Sequence, residues 1–591
     1  AYGMRTIHLM TLLTLAFLYW PASKKTPQEK TAWIDIPLAL LCLVIDVYLM
    51  LNHERLTTRE WYTGPMTFHD IALGWTTMVL LLEATRRVAG LALPIVASIF
   101  VAYTLFGQFL PFPFTIRSPN LLIFIDHMFM TPHAIFGVPV GVSATFVFLF
   151  ITFAALLDKT GAGKFIIDFS LSTVGWATGG PAKVAVIASG LFGTISGHSV
   201  ANVYGTGTFT IPLMKKMGYR PEYAGAVEAA ASAGGQIMPP IMGAAAFIMA
   251  EIVGVSYLTI CKAALLPAIL YFVAVFASTH LEALKLGLRS IPSTELPPLK
   301  ETLFKGFHFT IPILLLIVVL IQGYTPFRAA FVAIIALLIV SSMRKHSRLG
   351  VWGFLESLIQ GAKNAVVIAT CCACAGIVVG CLDVTGMGIK FVDIILALSY
   401  GNFALLLILV MVACLILGMG VPTAPAYIIV AMIAAPTLIK VGMPPVAAHM
   451  FVFYSCLLSA ITPPVALAAY AGAAIADAPV MRTGVIAAKL GFVKYIIPFV
   501  FAYNAALLME GSPWFVFASF ATAFVGTIGL SAALEKFLFT RLHILQILAF
   551  LTGSVLLLVS NLITDLLGIL ILAGAVAWNY YSHKNPTKAL A

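Results

Sequence analysis

Charge is what this sequence has least of. Of its 591 residues only 10% are Asp, Glu, Lys or Arg, while 61% are hydrophobic. Too little polar surface remains to face water, which excludes a soluble domain and leaves an all-α polytopic membrane protein. The net charge of +11 is not gathered on one face: Lys and Arg fall in short loops between apolar runs, which argues against nucleic acid. Cysteine is sparse, eight in all. Cys371, Cys372, Cys374 and Cys381 lie on an apolar helix without a nearby His, and adjacent residues point to different faces, so no metal cluster is read there. Gly161-Ala162-Gly163-Lys164 lacks the Ser or Thr of a phosphate loop, because Phe165 follows. No nucleotide site and no cofactor is expected.

Long apolar runs are what the chain has in abundance. They predict about 15 spanning helices, near 4–20, 32–51, 67–85, 88–110, 134–157, 222–250, 257–280, 306–322, 328–342, 362–382, 446–474, 491–509, 513–531, 542–559 and 562–580. Short cytoplasmic loops collect Lys and Arg. Basic residues at Lys24, Lys25, Lys30, Arg86, Arg87, Lys159, Lys164, Lys215, Lys216, Arg220, 285–305, 344–348, Arg482, Lys489, Lys536, Arg541, Lys584 and Lys588 all land on one side of this topology. That places the N-terminus in the periplasm and the C-terminus in the cytoplasm. The loop of Arg55 and Arg59 is an exception, balanced in part by Glu54 and Glu60; Arg117, Lys390 and Lys440 also fall outside. The chain starts at Ala1 rather than Met, which suggests absent N-terminal residues. Residues 4–20 read as a span, since no small-residue cleavage site followed by a soluble domain appears.

Two stretches remain, 181–217 and 402–440. Each is too long for one helix, yet must enter and leave from one side for the charge pattern to hold, so both read as re-entrant hairpins. They belong to a repeat. Pro212, Lys216, Gly218, Pro221 and Pro239-Pro240 recur about 224 residues on as Pro436, Lys440, Gly442, Pro445 and Pro463-Pro464. Each copy has a Gly-, Ser- and Thr-bearing apolar segment, a short loop, and a helix-length segment broken by a double proline. Five spans separate the hairpins, an odd number, so the repeat is inverted. This is the pattern of a secondary transporter with a broken-helix site at mid-membrane.

The tips carry the chemistry. Gly193 to Asn202 and Gly418 to Thr423 put small residues and hydroxyls where an apolar helix would prefer Leu. Glycine and proline free backbone carbonyls, and these with Ser and Thr oxygens suit a hard cation such as sodium. The breaks at Ser232 to Pro240 and Ser459 to Pro464 offer the facing half of each cage. Helix N-termini beyond the breaks suit an anionic substrate. Ser199, Asn202, Gln236, Pro239, Thr423 and Pro463 are the candidates to contact it. The bland alternative is that small residues only permit tight packing and prolines only kink helices. Packing alone does not require matched interruptions in two copies.

The run Gly193 to Gly254, with Glu228-Ala229-Ala230-Ala231-Ser232-Ala233-Gly234-Gly235-Gln236-Ile237-Met238-Pro239-Pro240 at its heart, resembles the fused membrane subunit of tripartite ATP-independent periplasmic (TRAP) transporters of the TAXI type. The resemblance covers nearly the whole chain. Residues 1–118 resemble the four-helix small subunit, and 119–490 the large subunit with its transport and scaffold parts. Residues 491–591 form a C-terminal four-helix region, part of which exceeds the minimal large subunit and has no assigned role. The resemblance implies an elevator-type importer in the bacterial inner membrane, supplied by a periplasmic binding protein and driven by an ion gradient, usually sodium. Its substrates would be organic acids, C4 and C5 dicarboxylates or related 2-oxo and 2-hydroxy acids. Carried over by position, the ion sites are Ser196, Gly197, Ser199, Asn202 and Gly235 for one, and Gly418, Gly420, Thr423, Ser459 and Thr462 for the other. Val421-Pro422 stands where the first copy has Gly197-His198, so the two need not be equivalent. The small-subunit portion can replace a dimer interface, which favours a monomer.

Buried ionisable groups are weighed separately, because charge at membrane depth is costly. His198 at the first tip and Glu228 before the first break form a protonatable pair that offers proton coupling; the bland reading has Glu228 bonding a neighbouring helix and His198 capping the tip. Glu251, Asp383 and Asp477 lie near helix ends and read as interfacial, while His449 is left open. Three further classes stand as alternatives. A stand-alone carrier or exchanger of hairpin architecture would need no N-terminal extension. An ABC permease is disfavoured because the Glu228-Ala229-Ala230 segment reads as spanning. A channel is disfavoured by hairpins of opposite entry.

Overall fold

A computed structural model describes residues 2–22, 33–112, 114–559 and 561–584. Lys24, Lys25, Lys30 and Lys588, used above for orientation, lie outside the described residues. Every regular element among the described residues is helical. Nine helices there are long and apolar enough to cross a membrane, and eight shorter apolar helices accompany them. Five of the eight are arms of the hairpins or halves of interrupted helices, so length alone undercounts the membrane-embedded elements.

Both hairpins form. Gly180–Ser196 and Ser199–Lys216 flank the first tip, and Phe403–Gly418 and Thr423–Lys440 flank the second. Both double prolines cut a helix, since proline lacks the N–H of the helical ladder and clashes with the preceding turn. Pro221–Gly235 stops before Ala244–Val253, and Pro445–Leu458 before Leu467–Ala476. Pro239-Pro240 and Pro463-Pro464 are both cis. The offset of about 224 residues carries Ser199–Lys216 onto Thr423–Lys440 to the residue. It reaches the backbone torsions too. Each second arm is left through a left-handed glycine, Gly218 at φ 96° and Gly442 at φ 94°, a conformation that glycine adopts without a Cβ penalty.

Packing divides the chain into two compact units. One comprises Ala1–Lys159, Ala244–Ser256 and Leu315–Gly442; the other comprises Thr160–Gly243, Tyr257–Leu314 and Met443–Ala591. The division at 118 and 490 follows likeness to separate subunits, a different question from packing, and remains an expectation. In the first unit Val351–Thr385 is the axis, with Tyr2–Tyr19, Phe68–Ala89, Ala92–Phe106, Phe148–Lys159 and Thr423–Lys440 packed on it. A Cβ on Gly376 would come within 2.4 Å of the Ala134 carbonyl oxygen, so this axis depends on small residues for close approach.

The same unit shows where the two arginines of the exceptional loop find their ion-pair partners, which are not the neighbouring Glu54 and Glu60. Arg55 pairs with Asp70 at 2.6 Å, and Arg59 with Asp126, which also accepts from the Tyr62 backbone N–H at 2.7 Å. The partners are distant in sequence and close only after folding. Short helices at Ala162–Val174, Met387–Leu398 and Val480–Leu490 were also not anticipated. Each carries charged residues among its apolar ones, so it shows helical periodicity rather than an unbroken apolar run.

Candidate ion and substrate site

The first hairpin and the first half of the first interrupted helix, Pro221–Gly235, lie in the same unit, and two glycines set their separation. A Cβ on Gly193 would stand 2.4 Å from Gly235 Cα and 2.9 Å from Asn202 Nδ2; one on Gly235 would stand 2.5 Å from Gly193 Cα. Backbone therefore touches backbone where the hairpin passes the break. At the tip Gly197 is left-handed, with φ 61°. Gln236 stitches tip to break: its Nε2 donates to the Gly197 carbonyl at 3.2 Å, and its own carbonyl accepts from Gly243 N–H at 2.9 Å. Ser199 is buried at the start of the second arm, and Asn202 is fully buried, its Nδ2 donating to the Ser189 carbonyl at 2.8 Å. The structure thus brings together Ser196, Gly197, Ser199, Asn202, Gly235 and Gln236, with Pro239 in the stretch beyond.

Two polar atoms at this tip have no hydrogen-bond partner among the described residues. Ser196 Oγ and His198 Nδ1 are both buried and unbonded, and buried polar atoms ordinarily find one. His198 is the N-cap residue of the second arm, yet its side chain makes no capping bond.

Glu228 lies seven residues before Gly235, about 10 Å along the helix axis, and is fully buried. Its carboxyl accepts from four hydroxyls: Ser189, Thr206 at 2.5 Å, Thr210, and Ser232 at 3.1 Å. Ser189 and Thr206 come from opposite arms of the hairpin, and their own oxygens are 2.9 Å apart; Thr206 is also 2.9 Å from the Asn202 carbonyl. Four hydroxyl hydrogens therefore suffice for the four bonds to the carboxyl, and the oxygens of Ser189 and Thr206 are neighbours because both approach the same carboxyl oxygen. No hydrogen bond joins Glu228 to His198 among the described residues. Sequence reasoning singled out Glu228 and Ser232 but missed Ser189, Thr206 and Thr210, which face the carboxyl only once the hairpin closes.

The second set of candidates divides between the units. In the first unit Gly418 ends one arm, Gly420 is left-handed at φ 73°, and Thr423 begins the other arm. In the second unit Ser459 Oγ donates to the Cys456 carbonyl at 2.7 Å, and Thr462 Oγ1 lies 2.6 Å from the Leu458 carbonyl and 2.5 Å from the Tyr495 hydroxyl. Bonds back to their own helix leave lone pairs on both oxygens for another ligand. Pro463 packs beside Gly484. Glu251, Asp383 and Asp477 are exposed, and His449 is buried.

A helical membrane protein with a hairpin tip set against an interrupted helix, and with that pair of motifs repeated, belongs structurally with secondary transporters. Residues 76–514 match the family described as tripartite ATP-independent periplasmic transporter, DctM component, and the chain belongs to that family. Among similar proteins is a putative TRAP transporter large permease of Haemophilus influenzae, 26% identical over 321 residues, 54% of this chain and 74% of that protein. The sialic acid TRAP transporter large permease SiaM of Vibrio cholerae is 24% identical over 335 residues, 56% of this chain and 77% of that protein. The C4-dicarboxylate TRAP transporter large permease DctM of Vibrio cholerae is 23% identical over 393 residues, 61% and 85% of the two chains. Large permeases of this family work with a periplasmic substrate-binding protein. The chain is accordingly a multi-pass inner-membrane permease and not an enzyme.

Proposed function

We propose that the chain is the membrane part of a TAXI-type importer that takes an organic acid from its periplasmic binding protein and carries it by ion symport in an elevator movement. The observation that carries this reading is the first tip, where Gly193 and Gly235 bring the hairpin against the break beside two unbonded buried polar atoms, Ser196 Oγ and His198 Nδ1. A hard cation such as sodium is ligated there by Ser196 and Ser199 oxygens and freed carbonyls, with Asn202 and Gly235 behind them. In the second copy the candidate ligands are, by position in the repeat, Gly418, Gly420 and Thr423 at the hairpin tip and Ser459 and Thr462 at the break. The substrate class is a C4 or C5 dicarboxylate or a related 2-oxo or 2-hydroxy acid, and Ser199, Asn202, Gln236, Pro239, Thr423 and Pro463 are, from their positions in the two copies of the repeat, the candidates to bind it. Relatives named for sialic acid and for C4-dicarboxylates, both carboxylates, support that class. The N-terminus of Ser199–Lys216 at the tip offers the positive dipole end that a carboxylate favours. The working form is a monomer, with its N-terminus in the periplasm.

A second reading of the coupling ion is favoured by the hydroxyl cluster. There the transported ion is a proton on Glu228, a fully buried carboxyl that faces hydroxyls and no cation. The deciding experiment is uptake of labelled 2-oxoglutarate into proteoliposomes, with and without the cognate binding protein, under separately imposed sodium and proton gradients. Uptake that needs the binding protein and one gradient supports the proposal and names the ion. Uptake indifferent to the binding protein replaces it with a stand-alone carrier.

A further inference from the structure

A buried lysine lies outside all the machinery assigned so far. Lys494, in the helix Val493–Tyr503, is completely buried, and no carboxylate pairs with it among the described residues. A buried ammonium without an anion is expensive, so a charged Lys494 needs surroundings that favour the charge. Its Nζ donates to the Ala233 carbonyl at 3.1 Å and stands 5.3 Å over the Tyr271 ring. Ala233 belongs to the last turn of the interrupted helix Pro221–Gly235. In an unbroken helix the Ile237 N–H would serve that carbonyl; here Ile237 N–H turns to the Gly234 carbonyl at 3.1 Å. The ammonium thus takes a carbonyl that the break has freed, at the negative end of a helix dipole. The Tyr271 hydroxyl donates to the Ala230 carbonyl at 2.7 Å, one turn earlier, which holds the aromatic face in place.

The neighbouring residues of the same short segment reach the other break. The Tyr495 hydroxyl is 2.5 Å from Thr462 Oγ1, and a Cβ on Gly491 would come within 2.4 Å of Ile461 Cδ1. Residues 491–495 therefore contact both interruptions. We propose that Lys494 is a resident cation of the first helix break, holding with its ammonium a freed carbonyl that a mobile ion would otherwise neutralise, while Tyr495 ties that fixed charge to the second break. This gives the start of the C-terminal region a role in positioning the two breaks, independent of the cargo and of the coupling ion.

The test is thermal melting of the purified full chain in detergent with added propylammonium chloride, against sodium chloride at equal ionic strength. K494A removes the atoms that propylammonium replaces. Propylammonium is expected to raise the melting temperature of K494A saturably, by about 2 °C, and to leave the parent and K494M unmoved, because their side chains fill the space. A K494A protein that does not respond, or a parent that responds equally, overturns the proposal. If K494A cannot be purified, K494Q and K494R decide, since glutamine retains a donor for Ala233 without the charge and arginine retains both. K494Q melting well below the parent with K494R near it supports a resident cation; K494Q melting with the parent overturns it.

Discussion

Gly193 offers the sharpest test of the first site, because the structure states how far its neighbour must move. Carbon atoms in contact normally sit about 3.5–4.0 Å apart. A methyl at Gly193 would begin 2.4 Å from Gly235 Cα and 3.2 Å from Gly235 C. Both are backbone atoms that cannot rotate aside, so the hairpin must retreat from the break by about 1 Å or more. Overpacking of this kind costs about 1–3 kcal/mol. If that strain falls on the ion-bound state, the ion concentration for half-maximal uptake rises by about 5- to 150-fold in Gly193→Ala. Gly235→Ala should behave alike, since its methyl would start 2.5 Å from Gly193 Cα. Gly574→Ala is the control: nothing lies within 4 Å of its added Cβ, in the helix Leu562–Lys584. The assay is initial uptake into proteoliposomes against ion concentration, with melting temperature measured in parallel. Gly193→Ala and Gly235→Ala that match Gly574→Ala in both readouts would refute the idea that this backbone contact shapes the site.

Ser199→Ala removes a hydroxyl alone and Thr423→Ala a hydroxyl with one methyl group, so ion half-saturation is expected to rise while membrane insertion is unchanged; parental ion dependence in both would remove them from the ligand set. Glu228→Gln places an amide N–H₂ among four hydroxyl donors, at a cost of about 1–3 kcal/mol, and is expected to lower the melting temperature. If the proton reading holds, it also abolishes uptake driven by a proton gradient, whereas preserved proton-driven uptake makes Glu228 structural. Asp126→Ala leaves the Arg59 guanidinium buried and unpaired, which costs about 3–5 kcal/mol; its melting temperature should fall clearly, and a parental value would contradict the pairing.

The fold was legible wherever the sequence had to break its own apolar pattern. A double proline admits few structural readings, and a stretch of glycine and hydroxyl residues in an apolar context admits few more. Hence 181–217 and 402–440 resolve into paired arms beginning at Gly180 and Phe403. What escaped was long-range pairing. The partners of Arg55 and Arg59 lie 15 and 67 residues away, while the sequence offers only the adjacent Glu54 and Glu60. The hydroxyls around Glu228 escaped for the same reason. Lys494 escaped because one charge within a predicted span reads as an imperfection of the span. A lone ionisable residue at membrane depth is better taken as a site until a partner shows otherwise.

The repeat also carries a physical argument about why two interrupted helices occur together. Interruption leaves carbonyls without helical donors, and hydrocarbon offers none. The first broken helix meets this need at Ala233 with a neighbouring ammonium, which a tyrosine ring held at Ala230 faces. In the second, the Ser459 and Thr462 hydroxyls turn back to Cys456 and Leu458. The two copies also touch directly: a Cβ on Gly225 would come within 2.7 Å of the Gly472 carbonyl oxygen, and one on Gly472 within 2.4 Å of that of Gly225. The first half of one interrupted helix therefore packs on the second half of the other through glycines. Such contact lets each copy shield the other's irregular backbone from lipid, a condition that a single interrupted helix would struggle to meet. Sequence divergence then has room to act on the side groups: the first copy recruits Lys494, the second Tyr495, and the shared backbone frame remains.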